Sequence, residues 1–194
     1  MNISLRMIIV LTVVSLFAGI SLVFVNQYAA PLIKQNAEKA IEKAVFTVLP
    51  DAKKTDKITF GETIIFKGIN DENQPVGYAF LAEGSGYQGV IKIMVGIDSK
   101  LEKLTGIEIL ESVETPGLGA KIAKPHFKDQ FKGVSVSPII NYVKGRKPTR
   151  PNEIQAITGA TISSRSVVKI LNTNIKKIKE NLKEEKSESG GENE

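Results

Sequence analysis

The chain has 194 residues, 42% of them hydrophobic and 24% charged, which suits one folded domain with a real core plus additional segments and argues against wholesale disorder. With no cysteine and a single histidine, it supplies no disulfide, no thiolate-held zinc or iron–sulfur cluster and no ready protein-only transition-metal site, so redox chemistry would need an organic cofactor or a partner. The net charge of +5 arises from lysines interleaved with glutamates along the chain, not from a basic cluster with aromatics, which argues against nucleic acid as a partner.

After a short tail, residues 1–6, the run "MIIVLTVVSLFAGISLVFV" over 7–25 carries no charge. As a helix it would be about 28 Å long, close to the hydrocarbon thickness of a bilayer, and it reads as a transmembrane helix. A cleaved signal peptide is the competing reading. It has a shorter apolar core ending at a small-residue site, whereas here Ala29-Ala30 is followed at once by Pro31, which favours an uncleaved anchor. Arg6 flanks one end and Lys34, Lys39 and Lys43 lie beyond the other, so charge counting does not assign a side.

Residues 26–50 are expected to link the anchor to the domain. Ala37, Ala40, Ile41, Ala44, Val45 and Val48 have helical spacing, with Asn36 as cap and Pro50 as stop. Strand-like segments rich in Ile, Val, Phe and Thr follow at 58–67, 75–83, 89–98 and 101–111, with "GINDENQP" and "IDSK" as hairpin turns. A Gly/Pro loop, "ETPGLG", precedes a short helical candidate over 124–132 and an irregular stretch holding Pro138, Gly145, Pro148 and Pro151. The closing helix is expected over 164–183, with Val167, Val168, Leu171, Ile175, Ile178 and Leu182 on one face. Residues 184–194 read as a disordered acidic tail. The fold class is therefore α+β, an antiparallel sheet flanked by helices within a domain over 51–183, with one N-terminal transmembrane helix.

Thr158-Gly159-Ala160-Thr161 stands directly ahead of the closing helix. Small residues let another molecule approach the backbone, and a helix start offers unpaired amides and the positive end of its dipole, a seat for a phosphate. Thr161 would present a hydroxyl there. Local chemistry alone is equally served by a tight turn with Ser163 or Ser164 as helix cap. Tyr87 sits in a hairpin turn between Gly86 and Gly89, suited to stacking or to covering a sheet edge. His126 has no identifiable acidic partner, and Glu111 and Glu114 are not read as an acid/base pair. No G-x-G-x-x-G nucleotide fingerprint occurs.

"TGATISS" resembles the flavin-attachment motif of the membrane-anchored FMN-binding subunits of two related respiratory complexes, the G subunit of Rnf and the C subunit of the sodium-pumping NADH:quinone oxidoreductase. "SGYQGVIKIMVGID", "ESVETPGLGAKI" and "LPDAK" are similar to further family segments, in the same order, and the first two read more like the Rnf G subunit. The resemblance implies FMN held by a phosphoester to Thr161, with Thr158, Gly159, Ala160, Ser163, Glu114, Thr115, Gly117, Leu118, Gly119 and Tyr87 around it and no metal ligands. In the loop 114–119, glycines permit close backbone approach, Pro116 stiffens the turn, Leu118 can cover a ring face and Thr115 can reach the pyrimidine edge. Gln155 departs from the family, whose members often carry Asp three residues before the attachment motif.

The function implied is an electron relay without independent catalysis in an ion-translocating ferredoxin:NAD⁺ oxidoreductase of the cytoplasmic membrane. Its FMN domain would lie on the extracytoplasmic side, its partners would be the other Rnf subunits, and a flavin transferase would load it from FAD. The alternatives are the quinone-reductase C subunit or another extracytoplasmic FMN-domain carrier and, from another class, a cofactor-free membrane-tethered binding or assembly module.

Overall fold

The computed structural model describes residues 2–60 and 63–189, with side chains through Leu182. Helix α1, Ile3–Val48, is continuous and runs through Pro31. Proline removes one backbone donor and crowds the preceding turn, yet good helix formers on both sides carry the hydrogen-bond ladder past it. The separate helix expected to start at Asn36 is thus the continuation of the apolar one, and Asn36 lies inside it. The helix ends at Val48, ahead of Pro50. Its N-terminal portion is long and apolar enough to cross a membrane.

The chain divides into two units, residues 1–40 and 41–194. The first is helical. The second is built on a five-stranded antiparallel meander, β1 Lys54–Phe60, β2 Thr63–Ile69, β3 Pro75–Ser85, β4 Val90–Asp98 and β5 Leu104–Ser112, in the order β1-β2-β3-β4-β5. The single strand expected over 58–67 is two strands paired from Lys54–Ile69 to Phe60–Thr63. Both halves are similarly rich in Ile, Phe and Thr, so patterning alone reads through the junction between them; Gly61 and Glu62 lie outside the described residues. The two anticipated hairpin turns form as Asx-type turns, in which a side-chain oxygen substitutes for a backbone acceptor. Asn70 Oδ1 accepts from the amides of Glu72 and Gln74, and Asp98 Oδ1 from those of Glu102 and Lys103.

Alternation along the strands gives the sheet two apolar faces. One carries Ile65, Phe80, Ile91, Ile93, Val95 and Ile97 and packs against Val167, Leu171, Ile175, Ile178 and Leu182 of helix α3, Thr161–Ser189. Ile122, Phe127 and Phe131 join this core from a chain of short turns: a 3-10 turn Gly119–Ala123, α2 Pro125–Lys128, and a second 3-10 turn Asp129–Phe131. These replace the one short helix expected over 124–132. A parallel pair, β6 Asn141–Val143 with β7 Glu153–Gln155, lies within the stretch read as irregular; three-residue strands are too short to show a period. Helix α3 starts at Thr161 instead of Ser164 and continues to Ser189, into the stretch expected as tail, while residues 190–194 lie outside the described residues.

The second face of the sheet receives the C-terminal end of α1. Ala44, Val45, Val48 and Leu49 pack with Phe66, Ala79 and Met94. The approach is close because the strands beneath carry a row of small residues: Gly68 opposite Gly77, Ala79 opposite Gly96, and Gly96 opposite Gly106. A Cβ on Gly68 would stand 2.9 Å from Leu49 Cδ1, and one on Gly96 would overlap both Thr105 Oγ1 and the Val48 carbonyl oxygen. That carbonyl, one of those a helix end leaves without an intrahelical donor, accepts a 2.5 Å hydrogen bond from Thr105 Oγ1. Gly96→Ala is accordingly expected to force the helix end off the sheet and to destabilise the domain by about 1–3 kcal/mol, as overpacking does. Thermal unfolding of the full chain in detergent checks it, and an unchanged midpoint would refute the close-approach argument.

Candidate functional site

Two turns of the same kind face each other at one end of the domain. After β5 the chain turns at 115–118, where the Leu118 amide donates to the Thr115 carbonyl at 3.2 Å, and the Ala120 amide donates to the same carbonyl at 3.1 Å. Pro116 takes the second position and Gly117 the third with φ 76°, the arrangement of a type II turn. Ahead of α3, the Ala160 amide donates to the Ile157 carbonyl at 3.0 Å and Gly159 has φ 81°, so residues 157–160 turn the same way. A Cβ on Gly159 would lie 3.5 Å from Leu118 Cδ2, which places the leucine side chain against this glycine.

The β3–β4 hairpin completes the cluster, closed by the Gly86 amide donating to the Gly89 carbonyl at 2.7 Å. Glu114 binds the three segments together. It is 4% exposed, and its Oε1 accepts from the amides of Tyr87 at 2.6 Å and Gln88 at 3.1 Å, while Oε2 accepts from the Ser163 hydroxyl on α3. The resemblance implies cofactor contacts from Glu114 and Ser163, but their polar atoms are turned to each other and to the hairpin. Gly86 and Gly119 make room for the carboxylate, since a Cβ on Gly86 would overlap Oε1 and one on Gly119 would stand 2.7 Å from Oε2. Neither serine caps the helix in the expected way: Ser164 accepts from the Ile157 amide and donates to the Ala160 carbonyl, both at 3.0 Å, fastening the turn from beneath.

Other expected residues divide by exposure. Ala160 and Gly119 are buried and shape the cluster from within, whereas Thr158, Gly159, Gly117, Leu118 and Tyr87 are exposed and Thr115 and Thr161 half-buried. Thr161 is the first residue of α3, so its hydroxyl lies where the amides of 161–163 have no backbone acceptor among the described residues. Sequence reasoning passed over Arg165, exposed one helical turn beyond Thr161 and without an ion pair among the described residues. The i, i+4 spacing on a helix start was the signal that could have found it. It also passed over Val113 and Ile162, which with Tyr87 and Leu118 are exposed apolar groups on or beside these segments. A hydroxyl, free amides at a positive helix end and a guanidinium suit a phosphate, and the apolar side chains suit a flat ring, so these residues fit FMN.

Residues 86–176, from the hairpin turn into α3, match the model of the FMN-binding domain family. The G subunit of an ion-translocating oxidoreductase complex from Methanosarcina acetivorans is 29% identical over 176 residues, covering 87% of this chain and 90% of that protein. The G subunit of the Na⁺-translocating ferredoxin:NAD⁺ oxidoreductase complex from Acetobacterium woodii is 35% identical over 183 residues, covering 86% of this chain and 87% of that protein. The chain belongs to this family of G subunits. In the crystal structure of the Na⁺-translocating NADH-quinone reductase from Parabacteroides distasonis, the C subunit shares the fold, with a TM-score of 0.59 at 22% identity over 72% of this chain and 90% of that one. The antiparallel sheet with flanking helices expected from the sequence is thus found in this chain and in a solved relative.

In this family member the strand leading into the attachment-motif turn is anchored twice. Gln130 pairs with the backbone of Gln155 through both ends of its amide, accepting from the Gln155 amide at 2.8 Å and donating to its carbonyl at 3.3 Å. Two residues earlier, the buried Glu153 accepts from the Thr149 amide at 3.1 Å and from Arg146 Nη1 at 3.1 Å and Nη2 at 3.2 Å. The Thr149 amide first, then the Arg146 guanidinium, outweigh burial and hold the Glu153 carboxyl down at about 2. Elsewhere, Glu111 is ion-paired with Lys92 at 2.7 Å and His126 is exposed on α2, so neither joins the cluster.

Because the folded value lies below the ordinary 4.5, ionised Glu153 stabilises the fold fully above pH 4.5, and that contribution is lost as pH falls through about 2. Glu153→Gln should therefore lower stability at neutral pH, with the gap to the parent closing in this acid window. A carboxyl-carbon NMR titration should place the Glu153 midpoint near 2; an ordinary carboxylate midpoint would remove the argument.

Proposed function

We propose that this chain is a membrane-anchored flavoprotein subunit that carries FMN through a phosphoester at Thr161 and relays electrons within an ion-translocating ferredoxin:NAD⁺ oxidoreductase complex, with its domain on the extracytoplasmic side. The observation carrying this reading is the position of Thr161: first residue of α3, beside unpaired amides and below Arg165, next to the paired turns that bring Leu118 against Gly159. Relatives named for sodium and for proton translocation match comparably, at 35% and 30% identity, which supports an electron-carrying role common to both.

Attachment from FAD balances simply. Thr161 Oγ1 bonds to the flavin-side phosphorus, the pyrophosphate P–O bond breaks, AMP leaves with the electron pair, and the threonine proton passes to a base of the transferase. The amides of 161–163 and Arg165 then hold the phosphodiester charge at the helix start. Leu118 and Tyr87 cover the ring, and Thr115 supplies a hydrogen bond to its edge. Bound FMN supplies reversible electron uptake and release, while the chain's groups tune it and limit water access. A covalent tether also suits a site outside the cytoplasm, where a dissociable cofactor is lost by mass action and a tethered one rebinds intramolecularly.

Co-expression with a flavin transferase, followed by intact mass and peptide mapping, tests the reading. One FMN less one water on Thr161 is the expected result. Thr161→Ala should lose the covalent flavin while keeping the fold to within roughly 0.5 kcal/mol, as substitutions of partly exposed hydroxyls generally do. Covalent flavin retained in that variant defeats the assignment of Thr161, and an unmodified parent chain shifts the reading to a cofactor-free tethered module.

A further inference from the structure

The buried Glu114 carboxylate has no part in the chemistry above and no cation among its partners; among the described residues no lysine, arginine or histidine pairs with it. Its hydrogen bonds come from two backbone amides of the hairpin and one hydroxyl of α3, donors that lie 26 and 27 residues before it and 49 residues after it in the chain. A carboxylate removed from water is costly unless such donors are in place, so the three segments gain by closing on it together. Glycines at 86 and 119 leave no slack around its oxygens. Ser163, its partner on α3, stands one residue from Ile162 and two from Thr161, in the same first turn of the helix.

We propose that Glu114 is a positioning residue for flavin attachment: through Ser163 and the Tyr87–Gln88 amides it fixes the helix start, and with it the Thr161 hydroxyl, relative to the turn at 115–118 and the hairpin. This rests on the carrier reading above. Glu114 touches no reacting atom. It acts by holding the nucleophilic hydroxyl in one orientation toward the phosphorus that the transferase presents, where small misplacements of reacting atoms weigh heavily on rate.

The test uses the full chain in detergent and has two readouts. The first, on chain without flavin, is amide hydrogen exchange. Glu114→Ala and Ser163→Ala should speed exchange at 86–89, 115–120 and 161–164 and leave the interior strands unchanged. The second is the initial rate of FMN incorporation from FAD by a flavin transferase, followed by mass. Both variants should lose roughly tenfold to hundredfold in maximal rate with the KM for FAD unchanged. Glu114→Gln should recover most of the rate, because its amide oxygen still accepts from the hairpin amides and its nitrogen can donate to Ser163. Asn172→Ala serves as the stability control: its amide pairs with the Ile140 amide and carbonyl, at 2.9 and 2.8 Å. It should lower the melting temperature and keep the parent rate.

Unchanged exchange in both Glu114→Ala and Ser163→Ala overturns the clasp. Loosened exchange with a parent-like incorporation rate, or an Asn172→Ala rate falling in step with its stability, overturns the positioning role. A parent chain protected at these segments that accepts no FMN overturns the carrier reading itself, and the positioning role with it.

Discussion

An acid closed off from water has to find its donors inside the protein, and at this end of the domain the search has one solution. Glu114 reaches the hairpin with one oxygen and α3 with the other. Its own loop is thereby held between them. The turn at 115–118 could adopt its shape alone, as could the turn at 157–160, since each has a glycine where positive φ is needed. What neither turn specifies locally is that they should meet. The carboxylate supplies that information, and the contact of Leu118 with Gly159 follows from it.

Behind this end, the rest of the domain provides a stiff frame. One face of the sheet is closed by α3, which therefore serves both as core packing and as the element that begins with Thr161. The other face is closed by the end of α1, where backbone lies on backbone across a row of glycines. Apolar burial on two faces of a five-stranded sheet gives the loops a support whose side chains are already locked, and hairpins with Asx-type turns set the register of its strands. Motifs far apart in sequence are thus presented by elements with little freedom to drift.

Much of this was legible in the sequence because the strands are long, rich in β-branched residues and punctuated by Asn, Asp, Gly and Pro. The TGAT and ETPGLG segments were legible as motifs, and local chemistry alone would have left each an ordinary turn. Less visible was whatever depends on contacts between distant segments. Glu114 carries the same letter whether it meets a ligand or two amides, and only the fold decides. The three-residue strands β6 and β7 have no period to read. Pro31 signals a break that the flanking helix formers override. Arg165 was readable from its spacing to Thr161, but a single charge on a polar helix face draws no notice until the helix start is known.

Ser164 lies sealed beneath the turn, holding the Ile157 amide and the Ala160 carbonyl with one hydroxyl. A segment fastened in this way is not an extended peptide that a modifying enzyme can thread through a cleft. An enzyme acting at Thr161 would meet a finished surface, composed of pieces that come together only once the sheet, the loop and the last helix have assembled. Biogenesis would then run in a fixed order, translocation, folding, then loading, and the colour of a flavin on the chain would certify that folding had succeeded.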